Sequence, residues 1–437
     1  MIGVLADDLT GAAELGALGW QLGLRADIVL LPQREAEPSS PGPDPAAQDG
    51  QPASPCLASR PTPPPDLMCV DSDSRLRDAA GAAARAVAGA AYLRAAGVDW
   101  IYKKVDSVLR GQVTAEIEGL LAAQRLRRAL LLPANPGLGR TIRDGQYFIG
   151  DVPIHQTDFA RDPDYPRRSP RVLELLAPPR DQSLCVCRPG EALPETGLVV
   201  GEAQSPADVR RWAEQCPPDA LAAGGAEFFA ALLVRRGLAK GAPADTQGGD
   251  KPPGPRGGLS LFVCGSPSRA AQQFVERAAG RGVAIFSLSD EHRPGTGLAP
   301  QAAARLAGRL AATLEQRGRA ILRIGLPWIG DPAVSRQLTE PLADVAARAL
   351  RLVGAGRVYA EGGATAVALA RRLGWTRFAV RGALAPGVAW LAPVGVPQYR
   401  FVVKPGSYAW PKALEADGTD SPGPGCQGGM DNAVGTC

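Results

Sequence analysis

The chain has 437 residues, with 48 lysines and arginines against 44 aspartates and glutamates and a formal net charge of +4. This length predicts two or three domains of about 150 residues each, and a charge so small and scattered favours small-molecule partners over nucleic acid. No apolar run approaches the roughly 20 residues that span a membrane, and the N-terminus lacks the basic and apolar regions of a signal peptide, so we expect no membrane partner and a cytoplasmic protein.

Histidine and cysteine are too sparse for several kinds of chemistry. The chain has only two histidines, His155 and His292, and its eight cysteines contain no Cys-x-x-Cys pair. A tetrahedral zinc site and a relay of several histidines are therefore unsupported. Carboxylates or lysines must carry any proton transfer.

Short apolar runs alternate with Ala- and Leu-rich helical patterns in chain order. "IGVLA" precedes a helix from Ala12, "LMCVDSD" precedes "RDAAGAAARAVAGAAYLRAAG", and "WIYKKVDS" precedes "TAEIEGLLAAQ"; later "LSLFVCG" precedes "RAAQQFVERAAG". The alternation is typical of β-α-β units. We predict an α/β protein of two domains, each with a mostly parallel sheet covered by helices. A ligand cleft between them would lie at the carboxyl ends of the strands.

Segments rich in Pro, Gly and small polar residues set the predicted boundaries, because such segments bury too little apolar surface to repay their ordering. They are 32–66, 240–258 and the chain from about 415. We predict a first domain over 1–240 with a surface insertion at 32–66. A linker over 241–258, a second domain over 259–414 and a low-complexity tail over 415–437 follow.

Acids and hydroxyls follow the first and third apolar runs. "ADDLTGAAELG" places Asp7, Asp8 and Thr10 at a turn before a helix, and "DSDSRLRD" places Ser74 and Arg75 at another strand end. Side chains of these types cap helix N-termini, and they also form sites for anions and hydroxyls. Taken alone, the two turns leave both interpretations open.

Cations and an acid converge in "WIYKKVDSVLRG". Lys104 and Asp106 share one face of the strand and Arg110 follows in the turn. Arginine suits bidentate carboxylate binding and lysine suits phosphate charge, so this segment favours an anionic substrate. The alternative is a solvated strand end with an internal Lys-Asp pair.

A long polar loop over 130–163 follows the next buried strand. It contains Arg140 in a Gly/Pro-rich turn, a predicted hairpin around Gly150 and Asp151, and then His155. Long polar loops are often functional, and the alternative is a surface excursion with His155 bonded to a local carbonyl.

Three glycine turns mark the second half: "FVCGSPSRAAQ", "VYAEGGATAVALARRLG" and "FVVKPGSYAW". Each places Gly with Ser, Thr or Lys after an apolar strand, where backbone N–H groups can bind phosphate oxygens. Neither G-x-x-x-x-G-K-[ST] nor G-x-G-x-x-G after a strand occurs, so we predict a nucleotide site of an uncommon type.

In combination these segments resemble the four-carbon acid sugar kinase family, over nearly the whole chain. The phrases "ADDLTGA" and "KKVDSVLRG" are the most specific. The resemblance implies an N-terminal sugar-acid-binding domain and a C-terminal nucleotide-binding domain. It also implies ATP-dependent phosphorylation of the terminal hydroxyl of a tetronate, with Mg²⁺. "DDLTGAAE" favours D-threonate over D-erythronate or 3-oxo-tetronate as the substrate.

Residue by residue, the resemblance assigns a site in each domain and no metal ligand. Its substrate motifs fall on Asp7, Asp8, Thr10, Gly11, Ser74, Arg75, Lys104, Asp106 and Arg110. Its nucleotide motifs fall on Ser266, Ser268, Gly362, Gly363, Thr365, Lys404 and Gly406. Phosphoryl transfer needs a carboxylate at the attacking hydroxyl and cations around the charge. We expect Asp7, Asp8 or Asp106 to be that catalytic acid, and Lys104 and Arg110 to hold the anionic end of the substrate.

The nucleotide motifs depart from the family at three positions. Ala364 stands where an acidic residue is common, and Pro405 and Ala409 stand where Ser and Gly are usual. These changes motivate a second hypothesis, a non-catalytic sensor that binds a sugar acid with a degenerate nucleotide domain. Turnover with a nucleotide distinguishes the two.

Overall fold

Large parts of both predicted domains are described by the structure, a computed structural model. The described residues are 1–33, 64–162, 164–177, 183–241, 258–266, 268–295, 299–325, 332–412 and 414. Most of the predicted insertion at 32–66 and of the linker at 241–258, and all of the tail at 415–437, lie outside these residues. We call the described residues up to 241 the first half and the described residues from 258 the second half.

Buried five-residue strands alternate with helices through the first half. Every residue of the first strand and of the strand "LMCVD" is buried, as expected for strands covered on both faces. The elements are β1 (Ile2–Ala6), α1 (Leu9–Gln21), β2 (Ala26–Leu30), β3 (Leu67–Asp71), α2 (Ala79–Ala95), β4 (Trp100–Lys104), α3 (Val113–Gln124), β5 (Arg128–Leu132), β6 (Arg140–Arg143), β7 (Gln146–Ile149), β8 (Val152–Pro153), α4 (Val172–Leu175), β9 (Leu184–Cys187), β10 (Gly197–Gly201), α5 (Pro206–Gln215), β11 (Ala220–Gly224) and α6 (Ala226–Arg235).

The second half repeats the alternation and ends in antiparallel strands. Its elements are β12 (Ser260–Cys264), α7 (Arg269–Gly280), β13 (Ala284–Ser287), α8 (Ala299–Arg317), β14 (Arg319–Arg323), α9 (Pro332–Val353), β15 (Gly356–Glu361), α10 (Gly363–Arg372), β16 (Arg377–Ala385), β17 (Val388–Pro393) and β18 (Tyr399–Lys404). No helix among the described residues is both long enough and apolar enough to cross a bilayer.

Fifteen of the described strands, drawn from both halves, form one sheet, which confirms the α/β class with mostly parallel strands. The order of its 15 strands is β13-β14-β12-β15-β18-β17-β16-β2-β3-β1-β4-β11-β5-β10-β9. We expected a sheet for each half. Instead β16 pairs antiparallel with β2, with Phe378 opposite Ile28, and so joins them. Both side chains are fully buried, and one apolar core extends through both halves.

Neighbouring parallel strands carry the predicted motifs. In the first half β3, β1 and β4 are adjacent, and in the second half β12, β15 and β18 are adjacent. Within each group, the turns that follow the carboxyl ends of the strands therefore lie next to one another. A separate sheet of β6, β7 and β8 contains the predicted hairpin at Gly150 and Asp151, because Ile149 pairs with Val152.

Candidate active site

The two aspartates after β1 share one arginine. Nε and Nη2 of Arg75 donate to the two carboxylate oxygens of Asp7 at 2.7 and 3.0 Å, and Nη1 donates to Oδ2 of Asp8 at 2.5 Å. Asp8 also caps the N-terminus of α1, because its Oδ1 accepts from the backbone N–H of Gly11 at 2.7 Å. Its Oδ2 accepts from Thr10 Oγ1 at 2.7 Å. The predicted helix cap is present, and the same carboxylate lines a cleft.

Asp7 and Asp8 differ in what surrounds them. Burial on its own would raise the pKa of Asp7, but Arg75 and Lys103 hold that pKa below its usual value. The Asp7 side chain is 2% exposed and does not line the cleft, whereas Asp8 is 13% exposed and does. Asp7 therefore orients Arg75, and Asp8 faces the cleft.

Asp106 is held by a second arginine at the end of β4. Its carboxylate accepts from Nε and Nη2 of Arg110 at 3.0 and 2.8 Å and from the backbone N–H of Val108 at 3.1 Å. Burial raises the pKa of Asp106, but the charges of Arg110 and Arg75 bring it well below its usual value. Arg110 also donates to Asp162 at 3.1 Å.

Lys104 pairs with α1 and not with Asp106. Its Nζ lies 3.0 Å from Oε2 of Glu14 and donates to the carbonyl of Val105 at 2.9 Å. Burial would lower the pKa of Lys104, but Glu14 and Asp106 raise it above its usual value. The lysine is therefore charged, and its charge is already balanced.

Ser74 lies behind the cleft. It is fully buried and its Oγ donates to Oε1 of Glu116 at 2.5 Å, and that oxygen lies 3.1 Å from Nζ of Lys103. Its backbone N–H donates to the carbonyl of Asp7 at 3.1 Å. Ser74 thus fixes the turn that carries Arg75.

Two of the second-half turns contact each other. Oγ of Ser268 accepts from the N–H of Ala271 at 3.2 Å, which caps α7, and donates to the carbonyl of Gly406 at 2.7 Å. Ser266 Oγ donates to the same carbonyl at 3.3 Å. The carboxyl ends of β12 and β18 are therefore tied together.

The turn after β15 leads into helix α10, whose first residue lies against the first half. Gly362 has φ of 91°, a conformation that disfavours side chains, and its N–H donates to the carbonyl of Lys404 at 3.0 Å. No side chain caps α10, which begins at Gly363, while Thr365 is buried. A Cβ built on Gly363 would lie 2.7 Å from Oδ2 of Asp8. The predicted nucleotide turn therefore reaches the predicted substrate acid.

The buried side chain of Lys404 stabilises the turn that follows β18. Its Nζ lies 2.8 Å from Oε2 of Glu361, and neither side chain has any exposed surface. The ammonium also donates to the carbonyls of Pro405 and Tyr408, at 3.2 and 2.7 Å. Burial lowers the pKa of Lys404, and the charge of Glu361 opposes this shift.

A cleft between the halves brings most of the predicted substrate residues together. It encloses about 390 Å³ of empty space, part of it open to solvent. Predicted residues that line it are Asp8, Thr10, Gly11, Arg75, Lys104, Asp106 and Arg110. Lining residues that were not assigned are Glu14, Ser107, Val108, Arg140, Phe159, Pro405, Ser407 and Tyr408.

Two of these additional residues meet across the halves. Arg140, the first residue of β6, donates from Nη1 to Ser107 Oγ, and its Cζ lies 5.5 Å from the ring centroid of Tyr408. The polar loop pointed to Arg140 without assigning it a role. Glu14 had a sequence signal, because it lies three and four residues after Gly11 and Thr10 on the same helix face.

In comparisons with known proteins, one family model matches each half of the chain. A family model described as a sugar-binding N-terminal domain matches residues 2–232, and one described as a nucleotide-binding C-terminal domain matches residues 261–408. A protein of Cupriavidus necator named D-threonate kinase is 30% identical over 441 residues, which cover 94% of this chain and 95% of that protein. The chain belongs to the four-carbon acid sugar kinase family.

Other members of the four-carbon acid sugar kinase family are similar over nearly their whole lengths. A Salmonella typhimurium protein named D-threonate kinase is 25% identical, with 88% of this chain and 89% of that protein covered. A Methylobacterium radiotolerans protein named 3-oxo-tetronate kinase is 26% identical, with 91% and 93% covered. A solved structure described as a putative tRNA synthase from Salmonella typhimurium LT2 has a TM-score of 0.68 at 19% identity, covers 93% and 96%, and shows the shared fold.

Membership of the four-carbon acid sugar kinase family makes the chain a phosphotransferase. The cleft lies between the part matched as sugar-binding and the part matched as nucleotide-binding. This arrangement favours an enzyme over the sensor hypothesis, because it places the start of α10 directly against an acid of the first half.

Proposed function

We propose that the chain transfers the γ-phosphoryl group of ATP to the terminal hydroxyl of a four-carbon acid sugar, with D-threonate as the preferred acceptor. The observation that carries the proposal is the approach of Gly363 to Asp8, which joins the nucleotide turn to the acid of the sugar-binding half. We propose D-threonate as the acceptor for two reasons. The relative with 30% identity is named D-threonate kinase, and the segment "DDLTGAAE" favours this substrate.

Asp8 is the acid best suited to orient the attacking hydroxyl. Asp7 does not line the cleft, and both of its carboxylate oxygens are bonded to Arg75. Asp106 lines the cleft, but both of its oxygens are bonded to Arg110, whereas only one oxygen of Asp8 is bonded to an arginine. Despite burial, arginine charges also hold the pKa of Asp7 below its usual value and the pKa of Asp106 well below its usual value. Asp8 lines the cleft and lies at the start of α10, where a transferred phosphoryl group would approach.

The second-half turns supply groups that suit the phosphates of ATP. The N-terminus of α10 carries backbone N–H groups that no side chain caps, and such groups bind phosphate oxygens. Ser266 and Ser268 lie one strand away and are tied to Gly406. Lys404 acts here by fixing the turn, because its ammonium is fully buried against Glu361.

The described residues fit a magnesium ion that arrives with ATP. Mg²⁺ is usually bound through one or two carboxylates together with substrate phosphates. Asp8 is a carboxylate at the expected phosphate position, and no group of three or more His, Cys, Asp or Glu in the described part of the chain forms a cage of its own. The ion would neutralise phosphate charge, while Asp8 orients the hydroxyl.

The test is an ADP-release assay with Mg-ATP and a panel of D-threonate, D-erythronate, L-threonate, 3-oxo-tetronates and longer sugar acids. We expect turnover of four-carbon acids, fastest with D-threonate. Turnover of a longer acid alone would contradict the proposed substrate class. Binding of a tetronate by folded protein without turnover of any acid on the panel would replace the proposal with the sensor hypothesis.

A further inference from the structure

Four cations line the cleft, and three of them already have carboxylate partners. Each of Arg75, Lys104 and Arg110 has a nitrogen at 3.0 Å or less from a carboxylate oxygen. Their charges are therefore balanced before any ligand enters. A sugar acid brings one more negative charge, which is costly to bury without a cation of its own.

Arg140 differs from these three cations in the groups that contact its side chain. Its guanidinium donates to the hydroxyl of Ser107 and lies over the ring of Tyr408. Burial raises the pKa of Tyr408, so its phenol stays neutral and supplies no balancing charge. Among the described cations of the cleft, Arg140 alone has no carboxylate partner.

From this charge balance we infer that Arg140, in place of Lys104 and Arg110, binds the carboxylate of the acid sugar, an assignment that rests on the proposed function. A guanidinium matches a carboxylate in shape and donates two parallel hydrogen bonds to it. Arg140 is anchored through one nitrogen to Ser107, and Tyr408 lies against its guanidinium. These contacts fix the direction of the remaining donors.

The phosphate end of the reaction has other groups to serve it. The start of α10 lies at Asp8, and the serines of the neighbouring turn are tied to Gly406. Arg140 instead lies against Ser107 on the β4 side of the cleft and against Tyr408. The acceptor would lie between them, with its hydroxyl at Asp8 and its carboxylate at Arg140.

The experiment compares R140Q with R143Q. Arg143 lies on the same short strand β6, stacks on Phe148 and does not line the cleft, so R143Q makes the same chemical change outside the site. For each protein kcat/KM is measured with the four-carbon acid that the wild type phosphorylates fastest, and with the tetronamide that carries a neutral amide in place of the carboxylate.

We expect R140Q to lower kcat/KM for the acid by about 10- to 100-fold, the usual range for hydrogen bonds to charged groups, with little change for the amide. R143Q should match the wild type with both. An equal loss on acid and amide would overturn the inference, as would a rise in the KM for ATP with acid kinetics unchanged.

Two further arms keep the result interpretable. If R140Q does not fold, R140K keeps a charge and loses the planar fork, and we expect a selective loss on the acid that is smaller than for R140Q. Equal losses on acid and amide in R140K would overturn the assignment. A wild-type protein that phosphorylates no four-carbon acid overturns the proposed function itself, a result that the variants cannot produce.

Discussion

Gly363 at the start of α10 lies directly against the carboxylate of Asp8, although 355 positions separate them in the chain. A Cβ on Gly363 would lie 2.7 Å from Oδ2 and 3.3 Å from Cγ of Asp8, closer than such atoms normally approach. Contact at this distance leaves room for a backbone and not for a side chain. The identity of residue 363 therefore controls how closely the two halves meet.

We expect G363A to lower kcat/KM by about 100-fold, because even a shift of about 1 Å in a reacting group can cost that much. The methyl group must displace the Asp8 carboxylate or hold the halves apart. The backbone of Gly363 does not have a positive φ, so alanine adds no backbone strain, and any fall in melting temperature comes from the contact with Asp8. Steady-state kinetics and a thermal melt measure both effects.

G308A is the matched control for this substitution. Gly308 lies on α8 in the same half, and a Cβ there would have no atom within 4 Å. It should keep full activity and gain up to about 1 kcal/mol of stability from alanine's helix propensity. Equal activity of G363A and G308A would show that the contact with Asp8 has no part in catalysis.

Replacing Asp8 by Asn should lower kcat by about 100- to 10,000-fold, the range for loss of a positioned general acid or base. Asn retains a helix cap but is neutral and cannot accept a proton. D78N is the control, because Asp78 caps α2 through the N–H of Gly81 at 2.7 Å as Asp8 caps α1. A similar loss of kcat in both variants would assign the effect to capping.

The stability of the protein should depend on pH through Asp71. Burial, reinforced by the carboxylates of Asp73 and Asp8, raises the pKa of Asp71 to about 8. Between pH 4 and pH 8 the folded protein then holds a proton that the unfolded chain releases. The free energy of unfolding therefore falls as pH rises through this window, by up to about 1.4 kcal/mol per unit. The contribution is full at the acid end and lost at the alkaline end.

Urea unfolding at pH 5 and pH 8 tests this sign. We expect D71N to remove most of the fall in stability between the two pH values. D66N is the control. The hydrogen bonds of Asp66 outweigh its burial and hold its pKa at about 2, so that Asp66 is ionised throughout this range. A wild-type pH dependence in D71N would refute the assignment to Asp71.

Lys404 and Glu361 should behave as one unit in stability. K404M leaves the carboxylate of Glu361 buried without its cation, and loss of one partner of a buried pair costs about 3–5 kcal/mol. The double variant E361Q/K404M removes both charges and should recover most of that loss. Urea unfolding of the two single variants and the double variant measures the coupling, and additive losses would show that the pair is not coupled.

The sequence located the strand-end turns well because their signals are local. An apolar run followed by acids, glycines or hydroxyls and then by a helical pattern identifies a turn at a strand end, and the structure has such turns around Asp8, Arg110 and Gly362. The cap at Asp8 and the hairpin at Gly150 follow from short segments in the same way. For these features the neighbours in sequence are also the neighbours in space.

Features that depend on distant pairing were not predictable. Lys404 looks like a phosphate ligand in "KPGSYAW", and only the register of β15 with β18 shows that Glu361 lies opposite it. The contact between Arg140 and Tyr408 joins residues 268 positions apart. The single sheet also depends on a distant pairing, in which Arg377 of β16 reaches Asp27 of β2 at 2.7 Å.

The pairing of β2 with β16 has a consequence for dissecting the protein. Removing the second half would uncover β2 as an edge, with unpaired backbone groups beside buried side chains such as Ile28. Exposed edges of this kind recruit other strands and promote aggregation. We therefore expect a fragment that ends near residue 241 to self-associate when it is expressed alone. A truncation series is thus a poor way to separate sugar-acid binding from nucleotide binding, and point substitutions in the full chain are the better tool.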